Sequence, residues 1–173
     1  LSSCHAEHAK GYLTFSGTLE NSKDSTLTIL GDGLTKIIKI SDNGTFKDTL
    51  KVSEAGLINI YTSSNKRGIV FLKNGYHIKL TSNSNDFFNS FKCEGNDEGA
   101  DSNNFFVSRY NFGQSSGNIR GFMILEKEAF KSKINYFRKG MDSISKIYPN
   151  ANKLIVNDSD EQYENFFKKL EDN

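Results

Sequence analysis

The sequence predicts a mainly β fold, an antiparallel β-sandwich or barrel-like domain followed by two or three helices, and three observations carry that expectation. Between Gly11 and Cys93 apolar residues alternate with polar ones in short runs separated by turn residues, the pattern of half-buried strands. Beyond Phe105 apolar residues recur at three and four, the period of an amphipathic helix. Between the two regimes lies Glu94 to Phe106, where Gly95 and Gly99 free the backbone for a turn and Asp101 or Ser102 can cap a helix. The expected organisation is a tether over residues 1–10, an antiparallel β domain over 11–100 and a helical segment over 101–173. The last helix is hardly completed at Asn173, which reads as truncation.

At the start, Leu1-Ser2-Ser3-Cys4 has the form of a bacterial lipobox, an apolar residue and two small ones before a cysteine. In that reading Cys4 carries a diacylglycerol thioether and an acylated amine, and more than one acyl chain makes anchoring stable where a single chain is marginal. The alternative is four common residues at a cut end. His5 and His8 are spaced to share a helix face and a metal, although a terminal tether more often keeps such a pair solvated.

The strand candidates follow in order. Tyr12 to Leu19 places Leu13 and Phe15 opposite Tyr12, Thr14 and Ser16. Asn21 to Asp24 breaks it; Thr26 to Leu30 follows, Gly31-Asp32-Gly33 turns, and Lys36 to Ile40 returns. Asn43-Gly44 then predicts a tight hairpin with Thr45 to Val52 pairing back, because Asn-Gly tolerates the positive φ angles of a type I′ turn. Gly56 to Tyr61 is next. Arg67 to Leu72 contains Ile69-Val70-Phe71-Leu72, the densest apolar run, and predicts a central strand buried on both faces. Asn74-Gly75 is the strongest hairpin signal, leading into Tyr76 to Leu80. Asp86 to Ser90 reads as a turn or half-helix and Phe91 to Glu94 as a last strand.

Past the joint, Phe105, Phe106, Arg109, Tyr110 and Phe112 predict a short helix ending at Gly113, and Gln114 to Asn118 a linker. Phe130, Ile134, Phe137, Met141, Ile144 and Tyr148 form one apolar seam, which Met123 extends backward and Pro149 stops. Its bulky aromatics favour packing on neighbouring elements over a coiled coil. Asn157-Asp158-Ser159 supplies helix-start chemistry, with Ser159 and Gln162 as a capping box, ahead of an apolar face of Tyr163, Phe166, Phe167 and Leu170.

Composition narrows the function. Twenty-two basic and 21 acidic residues leave no electrostatic footprint for nucleic acid. No apolar run approaches the ~20 residues that span a bilayer. Cys4 and Cys93 form no C-x-x-C pair or zinc knuckle. Cys93 reads as a buried structural thiol, with a Cys4 to Cys93 disulfide open if the lipobox reading fails. His77 falls on the solvent side of its strand, with no triad partner at a suggestive spacing. Glu94, Asp97, Glu98 and Asp101 invite a calcium reading, but their spacing does not fit the D-x-[DN]-x-[DN]-G loop and a solvated acidic turn is preferred. Paired catalytic carboxylates, a phosphate loop and a nucleophile elbow are missing, so no catalytic, metal or cofactor residue is nominated.

The order of these pieces supports a resemblance. A lipobox, Asp-Asn-Gly-Thr-Phe at 42–46, Gly-Leu-Ile-Asn-Ile-Tyr at 56–61, Phe-Leu-Lys-Asn-Gly-Tyr-His-Ile-Lys-Leu at 71–80 and Glu-Gly-Asn at 94–96, followed by an Asn-rich helix start, resemble the N-terminal β domain, DUF4369-like, of TlpA-family thiol-disulfide oxidoreductase lipoproteins of Bacteroidetes. The likeness covers about residues 10–112; the later helices agree only in kind. In that family the module precedes a helical connector and a thioredoxin-like domain whose C-x-x-C does the chemistry. This chain has no C-x-x-C, so no catalytic residue carries over. The resemblance implies a lipid-anchored protein of the periplasm or cell surface, held at the outer membrane through Cys4. It also implies a thioredoxin-like domain downstream in the same polypeptide, for which this module supplies spacing, dimerisation or a partner surface. Alone it would not be an enzyme; with that domain it would be part of one. The alternative is a stand-alone envelope lipoprotein whose β domain offers Tyr12, Tyr61 or Tyr76 to a glycan or protein.

Overall fold

The computed structural model describes residues 11–31, 33–116 and 125–171, without the side chain of Leu170. The expectations for Cys4, His5, His8, Met123, Leu170 and the Asp32 turn position lie outside the described residues. Among the described residues eight strands make two four-stranded sheets that do not close into a barrel, and three helices follow. Strands β1 (Leu13–Glu20), β4 (Thr45–Leu50), β7 (His77–Asn83) and β8 (Lys92–Gly95) form one sheet in the order β4-β1-β7-β8. Strands β2 (Thr26–Gly31), β3 (Leu34–Lys39), β5 (Gly56–Thr62) and β6 (Arg67–Leu72) form the other in the order β3-β2-β5-β6. All pairings are antiparallel except β1 with β7, which run parallel. The helices are α1 (Asp97–Ser115), α2 (Lys127–Ile147) and α3 (Lys153–Glu171).

Alternation decides the layers. Leu13, Phe15 and Leu19 of β1 are buried, as are Leu27 and Ile29 of β2, Ile58 and Ile60 of β5, and Ile78 and Leu80 of β7. These inward faces meet in one core, in which the Phe15 and Phe46 rings lie 5.3 Å apart. Each side chain of this kind contributes about 1.5 to 3 kcal/mol by leaving water, so a one-residue register slip would be prohibitive.

The turns are where the sequence misled. Both Asn-Gly steps make positive φ, +81° at Gly44 and +90° at Gly75, yet neither closes a hairpin. Each passes the chain from one sheet to the other: β3 to β4 at Gly44, β6 to β7 at Gly75. Strand β4 therefore pairs with β1 rather than back onto β3. The hairpins lie at β2–β3 and at β5–β6, the latter turning through Asn65 at φ +63°. A turn dipeptide fixes local direction only; which edge a strand joins is decided by the apolar face it must bury.

Strand β6 corrects a second expectation, since it is an edge strand and not a central one. Val70, Phe71 and Leu72 are nevertheless buried, because α1 lies along the opening between β6 and β8 and closes that side of the sandwich. On the opposite side, β3 and β4 are bridged by a Lys36–Asp48 ion pair at 3.2 Å. Lys36 shares the inward parity of Leu34 and Ile38, and an inward charge on an edge strand discourages pairing with another chain.

Helix boundaries also moved. Helix α1 starts at Asp97, ahead of the expected cap at Asp101 or Ser102, and continues through Gly113, Gln114 and Ser115. Gly95, at φ +138°, makes the turn into it; Gly99 lies inside the helix, against the Tyr76 ring. Helix α2 has the expected seam, with Ile134, Phe137, Met141 and Ile144 buried. Helix α3 begins before Asn157: Asn152 accepts a hydrogen bond from the Leu154 amide at 3.0 Å, and Ser159 sits mid-helix. Phe167 of α3 joins Ile134, Phe137 and Met141 in a second, smaller core.

Candidate functional site

The β domain and the helices meet around a buried polar hub. Asn152 Nδ2 donates to Glu98 Oε1 at 2.5 Å and to the Tyr76 hydroxyl at 3.3 Å, while its amide donates to Ser102 Oγ at 2.9 Å. One side chain thus ties the β6–β7 turn, α1 and the head of α3 together. Burial raises the Tyr76 phenol to about 12. Tyr76 is only 2% exposed, which removes it from the aromatic platform the sequence allowed.

Deeper along α1 sits a buried cation. Arg109 is 3% exposed; its guanidinium donates to Ser145 Oγ at 2.7 Å, Ser159 Oγ at 2.8 Å and the Met141 carbonyl at 3.4 Å, and pairs with Asp160 at 2.5 Å. The ring of Phe105, one turn earlier, lies 4.4 Å from the guanidinium carbon. Arg109 therefore joins all three helices. The sequence offered one signal, an arginine on the stripe of Phe105 and Phe112; a cation in that place needs partners from elsewhere in the chain.

Beside Arg109 opens a cavity of about 470 Å³, between α1, α3 and the β5 residue Leu57. Its walls are mainly aromatic and aliphatic: Phe106 and Tyr110 from α1, Phe137 from α2, Ile155, Tyr163 and Phe166 from α3. Polar groups enter at one side, where Gln162 Nε2 donates to Asp158 Oδ2 at 2.9 Å. Burial raises the Tyr163 phenol above its ordinary range. Sequence reasoning missed this cavity because its walls come from distant segments.

The residues singled out from sequence do not converge. Cys93 on β8 is a free thiol, 4% exposed, and burial pushes it up to about 12. His77 is half-buried, with Nδ1 2.7 Å from Thr14 Oγ1 on β1. The acidic residues of the joint disperse: Glu94 pairs with Lys79 at 3.7 Å, Glu98 with Lys73 at 3.1 Å, and Asp101 accepts the Asn150 amide at 3.0 Å. Among the described residues no cluster of His, Cys, Asp and Glu is arranged to hold a metal. No described helix is long and apolar enough to cross a membrane. Tyr12, just before β1, is 51% exposed, and Tyr61 on β5 of the other sheet is half-buried. No family model, characterised protein or solved structure matches the chain.

Proposed function

We infer that this chain is a non-catalytic accessory module of a lipid-anchored, thioredoxin-like thiol-disulfide oxidoreductase of the cell envelope, and that it spaces or docks the catalytic domain. The resemblance of the turn and strand motifs carries the oxidoreductase context, and the state of Cys93 carries the non-catalytic part. A dithiol catalyst needs an accessible thiolate of lowered pKa. Cys93 is the opposite, a buried neutral thiol whose strand is held on both main-chain groups by Asn104. Its chemistry is that of a small apolar side chain.

Two experiments test this. In a Cys4→Ala background, Cys93 should stay silent to Ellman's reagent at pH 8 in the native chain and titrate fully in guanidinium; fast native reaction, or dithiol turnover lost on Cys93→Ser, overturns the non-catalytic assignment. Sequencing the reading frame on both sides of these codons tests the rest. An upstream signal segment and a downstream C-x-x-C are expected, and their absence would remove the oxidoreductase context.

The second reading, a stand-alone envelope protein that binds a partner through its β domain, has one observation in its favour. On the outer face of the β3-β2-β5-β6 sheet, Ile37 is 63% exposed, and Leu30 and Leu57 are also exposed, near Tyr61. This reading predicts that Ile37→Glu abolishes capture of the ligand without changing thermal stability.

A further inference from the structure

The cavity beside Arg109 has a composition that selects a ligand. Its volume of about 470 Å³ falls within the range of small-molecule sites, roughly 300 to 1,000 Å³. Among the described residues the only cation on its wall, Arg109, is already paired with Asp160, with just its Nε left without a partner, and Asp158 on the same wall is hydrogen-bonded by Gln162. An anionic guest would find, among the described residues, no cation without a carboxylate partner and would face Asp158. A cationic guest would have to leave water for aromatic walls with one hydrogen-bonded carboxylate at the side. A neutral body suits the walls best. Tyr163 adds the polar handle: its hydroxyl has no hydrogen-bond partner among the described residues and projects toward α1, where a Cβ placed on Gly113 would come 3.4 Å from it. The missing side chain at Gly113 is what keeps this part of the cavity open.

We propose that the cavity between α1 and α3 binds a neutral aromatic or alicyclic small molecule whose carbonyl or ether oxygen accepts a hydrogen bond from the Tyr163 hydroxyl. The site does not depend on the oxidoreductase reading, and it lies at the junction of helices and sheet, where Leu57 of β5 is part of its wall. The guest stacks on Phe106, Phe137 or Phe166 and covers their apolar surface. The bond to Tyr163 orients it.

The test uses the full chain and two dyes, Nile red, neutral and aromatic with a carbonyl, and the anionic 1-anilinonaphthalene-8-sulfonate. Nile red should bind saturably at one site with blue-shifted emission, and the sulfonate at least about tenfold more weakly, the size of ~1.4 kcal/mol of charge discrimination. Gly113→Leu fills the space with a better helix former and should reduce Nile red affinity at least about tenfold without lowering the melting temperature. Tyr163→Phe should weaken binding by roughly 2- to 12-fold, the value of one hydrogen bond. Non-saturable Nile red binding, equal binding by Gly113→Leu, or a sulfonate bound as tightly as Nile red each overturns the proposal. A Gly113→Leu chain that melts lower is replaced by Gly113→Met, and unchanged binding there overturns the proposal too.

Discussion

Asn103 and Asn104, adjacent on α1, hold the edges of the two different sheets. Asn103 accepts the Phe71 amide of β6 at 2.8 Å and donates to the Phe71 carbonyl at 3.0 Å. Asn104 does the same for Cys93 of β8, at 2.8 and 2.9 Å. A primary amide copies the donor and acceptor of a missing neighbour strand, so the two carboxamides end both ladders in hydrogen bonds where an open edge would accept another chain.

Removing either amide should therefore be costly, and unequally so. Asn103 is buried, and Asn103→Ala leaves the Phe71 amide and carbonyl without partners and out of water, at a cost of about 2 to 4 kcal/mol. Asn104 is half-buried, so water can replace part of the loss and Asn104→Ala should cost about 1 to 2 kcal/mol. Denaturant unfolding followed by circular dichroism gives the order; equal effects would mean that the edges are not closed in this way.

Arg109 and Asp160 make a second unequal pair. Asp160→Asn leaves a buried guanidinium with neutral partners, but Asp160 is itself half-exposed, which limits the loss to about 1 to 2 kcal/mol. Arg109→Met removes the cation and keeps much of the packing against Phe105. The double variant should be no less stable than Arg109→Met alone, because the carboxylate matters only while the cation is there. Additive losses would show that the pair is not coupled.

Acid should act through Asp24. Burial alone would raise its pKa, but hydrogen bonds from the Ser64 side chain and amide, Ser63 and Thr62 outweigh it and hold the carboxyl at about 2. The folded value is below the unfolded one of about 3.9, so the carboxylate's stabilisation is complete above pH ~4 and is lost as the pH falls toward 2. The amount is about 2 kcal/mol. Asp24→Asn should lower stability at pH 7 and flatten the decline between pH 4 and 2; an unchanged acid limb would assign it to other carboxylates.

Gly95 fixes the turn from β8 into α1. At φ +138° it adopts a backbone conformation that L side chains rarely take, and a Cβ there would run into the His77 carbonyl. Gly95→Ala should cost about 1 to 3 kcal/mol or more, with hydrogen exchange rising first around Asn96 and His77, whose main chains bond each other at 3.2 Å. A neutral substitution would show that the joint rearranges freely.

The two-layer fold with trailing helices is legible in the sequence because periodicity reports burial directly, as in Leu13-x-Phe15 or Phe137-x-x-x-Met141. Partnership is less legible. Asn43-Gly44 and Asn74-Gly75 have the residues of hairpins and serve as passages between sheets, and the β6 run looks central because a helix stands where another strand would. Asn103-Asn104 reads as helix-start polarity until the strands beside it are known. Asn152 and Arg109 were illegible as a hub and a clamp for the same reason: their partners lie more than 30 residues away, Ser102 and Ser159 at 50. The cavity is a property of three-dimensional convergence and leaves no periodic trace.

The parallel contact between β1 and β7 sets an order of assembly on a chain made from its N-terminal end. Strands β2, β3, β5 and β6 all lie between residues 26 and 72, so their sheet can be complete while β7 is still unsynthesised. Strand β1 cannot. Its partner His77 lies 63 residues beyond Thr14, and until then one side of a strand that ends up in the middle of its sheet is a bare edge carrying Leu13, Phe15 and Leu19. Nascent chains paused between residues 50 and 77 are thus the ones that a holding chaperone, or a neighbouring copy on the same message, would meet with that edge uncovered.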